Sequence, residues 1–317
     1  MSRAQSSVLA VLLLLSGPQT RAAERRVDSL RVLILSTMLA EQGIGEWGFA
    51  AIVEADGHRV LFDTGARPRT VLENAEELGV DLSLVEDVVL SHNHSDHTGG
   101  LVTLRRELAK VSPAALSRAH VAPGIFWERP ADPPGSGAAQ LEKDYEARGG
   151  RFIEHAGPFE IHPGVWVTGP VPRVHPERNW SPTGQIRSPE GLVEDTIPES
   201  QSLVIDSREG LVVISGCGHA GIVNILEYAR KAVRDTGIHA ALGGFHLFRA
   251  TDEQLAWTGG KLRALGVSNL VGAHCTGIEA VFRLRDTAGL DRRHAVVGAV
   301  GASFTLGSGI DPLSLAR

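Results

Sequence analysis

Cysteine is scarce. Two residues in 317 cannot build a disulfide framework, and Cys217 and Cys275 stand too far apart to read as a zinc-finger pattern. Positive charge is in deficit too. The formal net charge is -6, which leaves no global basic excess for a phosphate backbone, so no nucleic-acid partner is expected. No stable membrane insertion is expected either, since the apolar stretch Val8 to Leu15 falls well short of the roughly 20 residues a bilayer requires. What remains is an ordinary globular makeup, 43% apolar and 21% charged. It can bury one large core or two modest ones by packing alone and is too apolar for a disordered chain.

The first two dozen residues stand apart. Arg3, the apolar run and the small residues Ala22 and Ala23 follow the layout of a secretory signal peptide. Residues 1–23 are therefore expected to be removed by cleavage near Ala22 or Ala23, leaving 24–317 as a single domain that is secreted or periplasmic. Cleavage would take away Arg3 and Arg21 and no acid, making the remainder more acidic.

Along the rest of the chain, Arg31 to Met38 is a β-rich apolar run. Trp47 to Glu54, Asp56-Gly57 and Arg59 to Phe62 read as a hairpin. A helix around Thr70 to Leu78 and a strand Val85 to Leu90 follow. The second half repeats the pattern: Ser202 to Ile205, a turn at Glu209-Gly210, a strand Leu211 to Ile214, and a helix from about Ile222 to Val233. Further strands near Ala240 to Leu242 and Asn269 to Val271 complete an alternating α/β series. Between the halves, residues from about 101 to 200 break the rhythm with proline and glycine. They are expected to form an insertion or lid with some structure of its own, such as a helix at Ala138 to Arg148 and a strand at Val165 to Thr168.

The densest chemistry is Ser91-His92-Asn93-His94-Ser95-Asp96-His97-Thr98-Gly99-Gly100. At a strand end His92 and His94 project to one side, because side chains alternate with period two, and Asp96 and His97 sit on the turn beyond. Three imidazoles and a carboxylate suit a borderline-soft divalent cation, zinc first, with iron or manganese as alternatives. Four residues cannot close two metal shells. The second half supplies His219, His246 and His274, each where a strand stops and each within two residues of glycine or cysteine. Cys217 and Cys275 flank these positions and are read as buried small apolar residues, with an occasional disulfide or a soft metal ligand as alternatives.

Asp63-Thr64-Gly65, the HxHxDH run from His92 to His97, His219 and His274 resemble the successive motifs of the metallo-β-lactamase-fold superfamily. The resemblance covers nearly the whole of residues 24–317. It implies an α/β fold, an αββα sandwich of two pseudo-equivalent halves, with the inserted lid region. More narrowly, LFDTG, LSHNHSDHTGGL, SGCGHAGIVN, GGFHL and HCTG are similar to the group named for dihydropterin-ribofuranosylaminobenzene 5'-phosphate synthase. Position by position, the resemblance implies that His92, His94 and His219 hold a first metal and Asp96, His97 and His274 a second, with Asp63 orienting ligands and loop backbone. The superfamily's usual bridging Asp has no counterpart; His246 stands in its place, as a ligand of the second metal or of a substrate anion.

Such a site implies hydrolysis of an ester, phosphoester or related small-molecule bond. A bound zinc lowers the pKa of its water from about 15.7 to about 7, and Asp96 would accept the proton. The alternatives are transfer chemistry like that of the group's namesake and a catalytically silent metal-binding module. Arg173, His120 and Arg129, with Trp127 nearby, are the candidates for gripping an anionic substrate, and Glu199 to Ser202 is a candidate for the mouth of the site.

Overall fold

The computed structural model describes residues 26–133 and 136–315; the expected leader lies outside them. Strand β1 (Leu30–Ser36) sends Leu33 and Leu35 to one side and Val32 and Ile34 to the other, and both sides are buried. Strands covered on both faces read as continuous apolar runs instead of alternating ones, which is why this sequence shows so little period-two pattern. β2 (Ala50–Ala55) and β3 (His58–Phe62) form the expected hairpin. Asp56 and Gly57 both take positive φ, 47° and 86°, as a type I′ turn requires.

Helix α1 (Thr70–Glu77) leads to β4 (Asp87–Val89), parallel to β3. Short α2 (Ser95–Thr98) and α3 (Leu101–Leu108) precede β5 (Arg118–Val121), and α4 (Gly137–Glu146) precedes β6 (Arg151–Glu154). β7 (Phe159–His162) and β8 (Val165–Val167) open a second sheet, and β9 (Gln185–Ser188) and β10 (Gly191–Glu194) form a separate ribbon. The hairpin of β11 (Ser202–Ser207) and β12 (Gly210–Ser215) is followed by α5 (Ile222–Ala232) and β13 (Ile238–Gly243). Then come α6 (Asp252–Ala264), β14 (Asn269–Gly272), α7 (Ile278–Ala288) and β15 (Ala295–Val297); β16 (Ser303–Thr305) and β17 (Gly309–Asp311) return to the first sheet.

The result is an eight-stranded sheet ordered β17-β16-β1-β2-β3-β4-β5-β6 facing a seven-stranded sheet ordered β15-β14-β13-β12-β11-β8-β7. Val32, Ile34, Phe62, Ile205, Ile214 and Val271 pack between the sheets. α1 and α3 cover the outer face of the first, and α5, α6 and α7 that of the second. Burying one such side chain contributes about 1.5–3 kcal/mol. This is the αββα sandwich, and its halves are built alike: hairpin β2–β3, α1, parallel β4 against hairpin β11–β12, α5, parallel β13.

The stretch expected as an insertion, 101–200, divides in two. Leu101, Leu104 and Leu108 of α3 and Tyr145 of α4 lie in the core beneath the first sheet, and β5 to β8 extend both sheets. These strands are only three or four residues long, too short for a periodic signal. Parts of 127–137 and 176–197 border the cleft described next.

Candidate metal centre

Parallel strands β3, β4, β12, β13 and β14 all end on one edge, where open α/β sheets place their ligands. Past β4 the chain runs through buried Leu90 and Ser91 to His92 and His94, then winds into α2, which carries Asp96 and His97. β12 delivers His219 after the turn Gly216-Cys217-Gly218, and β14 delivers His274. The fold brings all of these together. The His92 ring lies 4.5 Å from His94, 4.2 Å from His97 and 4.6 Å from His219, and His97 lies 5.0 Å from His274.

Hydrogen bonds fix the direction of the rings. Asp63 accepts from Ser91 N (2.7 Å), Ser91 Oγ (2.7 Å) and His97 Nδ1 (2.7 Å). Because Ser91 spends its one hydroxyl proton on Asp63, it accepts from His92 Nδ1 at 2.9 Å. His92 Nε2 is thereby left with a free lone pair. His219 Nδ1 donates to the carbonyl of Asn179, with the same consequence for its Nε2. Asp63, His246 and His274 all take left-handed φ, 57°, 52° and 48°. Such a conformation costs about 1–3 kcal/mol per residue and gathers where function requires a fixed geometry.

The donor set fits a divalent cation. His92 Nε2, His219 Nε2 and His274 Nδ1 are buried with no hydrogen-bond partner, an expense of about 1–3 kcal/mol each that coordination would relieve. Potential ligand atoms fall within 4.8 Å of one another in the sets His92, His94, Asp96 and Asp96, His97, Cys217, His274, and in the sets His92, Cys217, His219 and Cys217, His246, Cys275. Burial pushes His92 and His219 well below the usual imidazole range and His94 down to about 4, so these rings are neutral donors at pH 7. Burial would raise Asp96, but His274, its Nε2 3.3 Å from the carboxylate, and the neighbouring imidazoles outweigh that and hold it ionised.

The centre forms the floor of a cleft of about 1520 Å³. Trp47 packs edge-on against His274 at 4.9 Å and Phe248 at 5.7 Å, and Trp257, Trp180 and Arg249 add to the wall. His246 lines the cleft with its ring 4.8 Å from His219. Arg129 also lines it, but its guanidinium is committed to Asp195 (2.6 Å) and Glu199 (2.8 Å). Glu199 in turn meets Asn93 N at 3.3 Å, and Gln201 donates to Leu90 O at 2.8 Å. These residues buttress the His92–His94 segment past β4.

Two candidates lie elsewhere. Arg173 donates to Thr196 O (2.5 Å) and Ile197 O (3.0 Å) and stacks on Trp180, pinning a loop instead of lining the cleft. His120 sits in a network at the far side of β4, 3.0 Å from Asp87 and 2.9 Å from His155, with Arg118 and His162 also on Asp87. Residues that sequence reasoning missed act through long-range bonds. Ser91 is one, and Glu46 is another, accepting from Ser36 Oγ, Ala66 N and Arg67 N to hold the loop after Asp63. No local pattern announces such pairs.

The His120 network predicts a pH effect. Burial, then neighbouring His120, pushes His155 down to about 4, so between pH 6.5 and 4 the unfolded chain takes up a proton that the folded one refuses. Stability is full above pH 6.5 and falls as the pH drops. From pH 7 to 4.5 the wild-type unfolding midpoint should fall more than that of His155→Gln by roughly 2–4 °C, the effect of about 1 kcal/mol. Parallel curves would refute the assignment.

Comparison with known proteins agrees with the geometry. The family model described as metallo-beta-lactamase superfamily matches residues 48–231. The 7,8-dihydropterin-6-methyl-4-(beta-D-ribofuranosyl)-aminobenzene-5'-phosphate synthase of Methanocaldococcus jannaschii is 31% identical over 272 residues, 80% of this chain and 90% of that protein. Tm1679, described as a metal-dependent hydrolase of the beta-lactamase superfamily, superposes with a TM-score of 0.69 at 27% identity, covering 86% of this chain and 98% of its own. The Bacillus subtilis metallo-beta-lactamase fold protein YhfI shares the fold at a TM-score of 0.56 and 12% identity, covering 88% of this chain and 100% of its own. With its strand-end histidines gathered on one sheet edge and the family pattern matched over more than half its length, the chain belongs to the metallo-beta-lactamase superfamily.

Proposed function

We propose that the chain is a metal-dependent hydrolase using two divalent cations, zinc foremost, with iron or manganese as alternatives. Its substrate is a small, anionic molecule with an ester, phosphoester or related bond. The observation that carries this reading is the convergence of five imidazoles and Asp96, drawn from both halves, at one open cleft that His94, Asp96 and His219 line. His92, His94 and His219 would hold one cation and Asp96, His97 and His274 the other. Bound there, the cations would supply Lewis-acid polarisation of the scissile oxygen and a water acidic enough to ionise near neutral pH.

The chain's own residues do the remaining work. Asp96, ionised and on the cleft wall, accepts the proton at its carboxylate. Asp63 and Ser91 hold His97 and His92 in the required tautomers. Trp47, Phe248 and Trp257 seat an apolar or planar part of the substrate, and Arg249, stacked 5.2 Å over Phe248, offers charge to an anionic part. The leader layout at Arg3 to Ala23 supports export, and an exported enzyme would not meet a cytosolic biosynthetic intermediate. The 31% identity to a synthase favours a second reading, transfer with diphosphate departure on the same centre.

Metal quantification on the purified protein, beside chromogenic phosphodiester, lactone and β-lactam substrates, separates these readings. Turnover of at least one substrate, lost on chelation and restored by zinc, is expected. Turnover indifferent to chelation overturns the proposal. Diphosphate release without hydrolysis would favour transfer, and bound metal with no turnover at all a silent binding module.

A further inference from the structure

The superfamily pattern calls for a carboxylate bridging two metals after the strand that follows the third histidine, and this chain has none there. Among the described residues His246, which occupies that position, groups with Cys217 and Cys275 and not with Asp96, His97 and His274. A different residue fills the gap. Cys217 is the one member common to the set containing His274, the set containing His219 and the set containing His246, with ligand atoms within 4.8 Å in each. It is 3% exposed, and its Sγ lies 3.1 Å from His97 Nε2, whose other nitrogen is already committed to Asp63. Around it, the nine-tenths-buried His92 and His219 each aim an unpartnered Nε2 inward. Gly218, at φ 65°, makes the turn that brings Cys217 and His219 to the same centre.

We propose that Cys217 is a metal ligand, a thiolate shared between the two cation positions that takes the place of the missing bridging carboxylate. On binding, the S–H bond gives its proton to solvent and the sulfur pair bonds the cation, so one proton leaves per thiolate formed. Cys275 stays outside the shell. Its Sγ points at the Cys217 carbonyl at 3.6 Å, and it positions the turn. A sulfur donor among imidazoles biases the centre toward zinc or cobalt and away from manganese or magnesium.

The proposal rests on the reading of the cluster as a metal centre, and cobalt(II) alone, added to the purified protein, separates the two. Wild type is expected to bind about two cobalt ions per chain, the two-site occupancy of such centres, with a near-ultraviolet sulfur-to-cobalt charge-transfer band. Cys275→Ser should keep that band. Cys217→Ser should lose it and about half of the bound cobalt. Cys217→Asp, which returns a carboxylate to the shared position, should restore the stoichiometry without the band, and that result also excludes misfolding as the cause. A band that survives Cys217→Ser, disappears in Cys275→Ser, or is missing from cobalt-loaded wild type overturns the sulfur assignment while leaving the metal centre intact. Failure of wild type to bind cobalt overturns both.

Discussion

Replacing His94 with alanine is expected to empty the centre and stop catalysis while leaving the fold standing. His94 lines the cleft instead of filling the core, its ring 4.5 Å from His92 and 4.9 Å from His219. Truncation removes one of the three imidazoles proposed to hold the first cation and creates no sealed cavity, so the thermal midpoint of the metal-free protein should move by no more than the effect of about 1 kcal/mol. Bound metal should fall to a small fraction of wild type, and turnover of any substrate found by the panel by at least about 10³-fold, since metal and proton-acceptor effects are lost together. Metal content and kcat on the same preparation decide it. Full turnover with metal gone would show that the chemistry does not run through this cluster.

Much of that centre is legible in the sequence. The HxHxDH run is local: six consecutive residues, running from past the buried strand β4 into the one-turn helix α2, keep His92, His94, Asp96 and His97 together, although β4 ends at Val89 and the two histidines lie on irregular backbone past it, not on the alternating strand end the sequence suggests. His219 and His274 were legible because each follows a parallel strand, and parallel strands in one sheet must end on the same edge. Asp63 shares that logic at the end of β3. The hydroxyl of Ser91 was not legible, because its meaning lies in a bond to a residue 28 positions away. For Cys217 the sequence leaves packing, a disulfide and a soft ligand side by side, since a small buried thiol looks the same in each; only the neighbouring nitrogens, His97 Nε2 at 3.1 Å among them, give a reason to choose. His120 and Arg173 were misplaced for a related reason. Histidine or arginine beside aromatics suggests a ligand site, yet Asp87 and the carbonyls of Thr196 and Ile197 had already claimed their polar atoms. The boundary of the insertion was obscured by strands too short to carry a period.

The same dependence on distant partners makes one glycine critical. A Cβ on Gly216 would lie 2.0 Å from Ser91 Oγ and 2.6 Å from Asp63 Oδ2, so alanine there must displace the pair that sets the tautomers of His92 and His97. Neither group has room to yield: Asp63 is fully buried with both oxygens engaged, and Ser91 is anchored through its own backbone N–H to Asp63. Gly216→Ala should therefore cost about 1–3 kcal/mol from overpacking, and its loss of metal affinity should be about 10–100-fold, as when the partners that orient a ligand are disturbed. Gly260, on the exposed face of α6 with nothing within 4 Å of its added Cβ, provides the contrast. Gly260→Ala should stabilise by about 0.5–1 kcal/mol through helix propensity alone and leave metal affinity unchanged. Thermal midpoints with and without zinc, and competition for zinc against a chromophoric chelator, measure both quantities. If Gly216→Ala matched wild type in both, the close approach of β12's turn to Asp63 and Ser91 would have no part in holding the ligands, and the orientation of His92 and His97 would have to come from the β4–α2 segment alone.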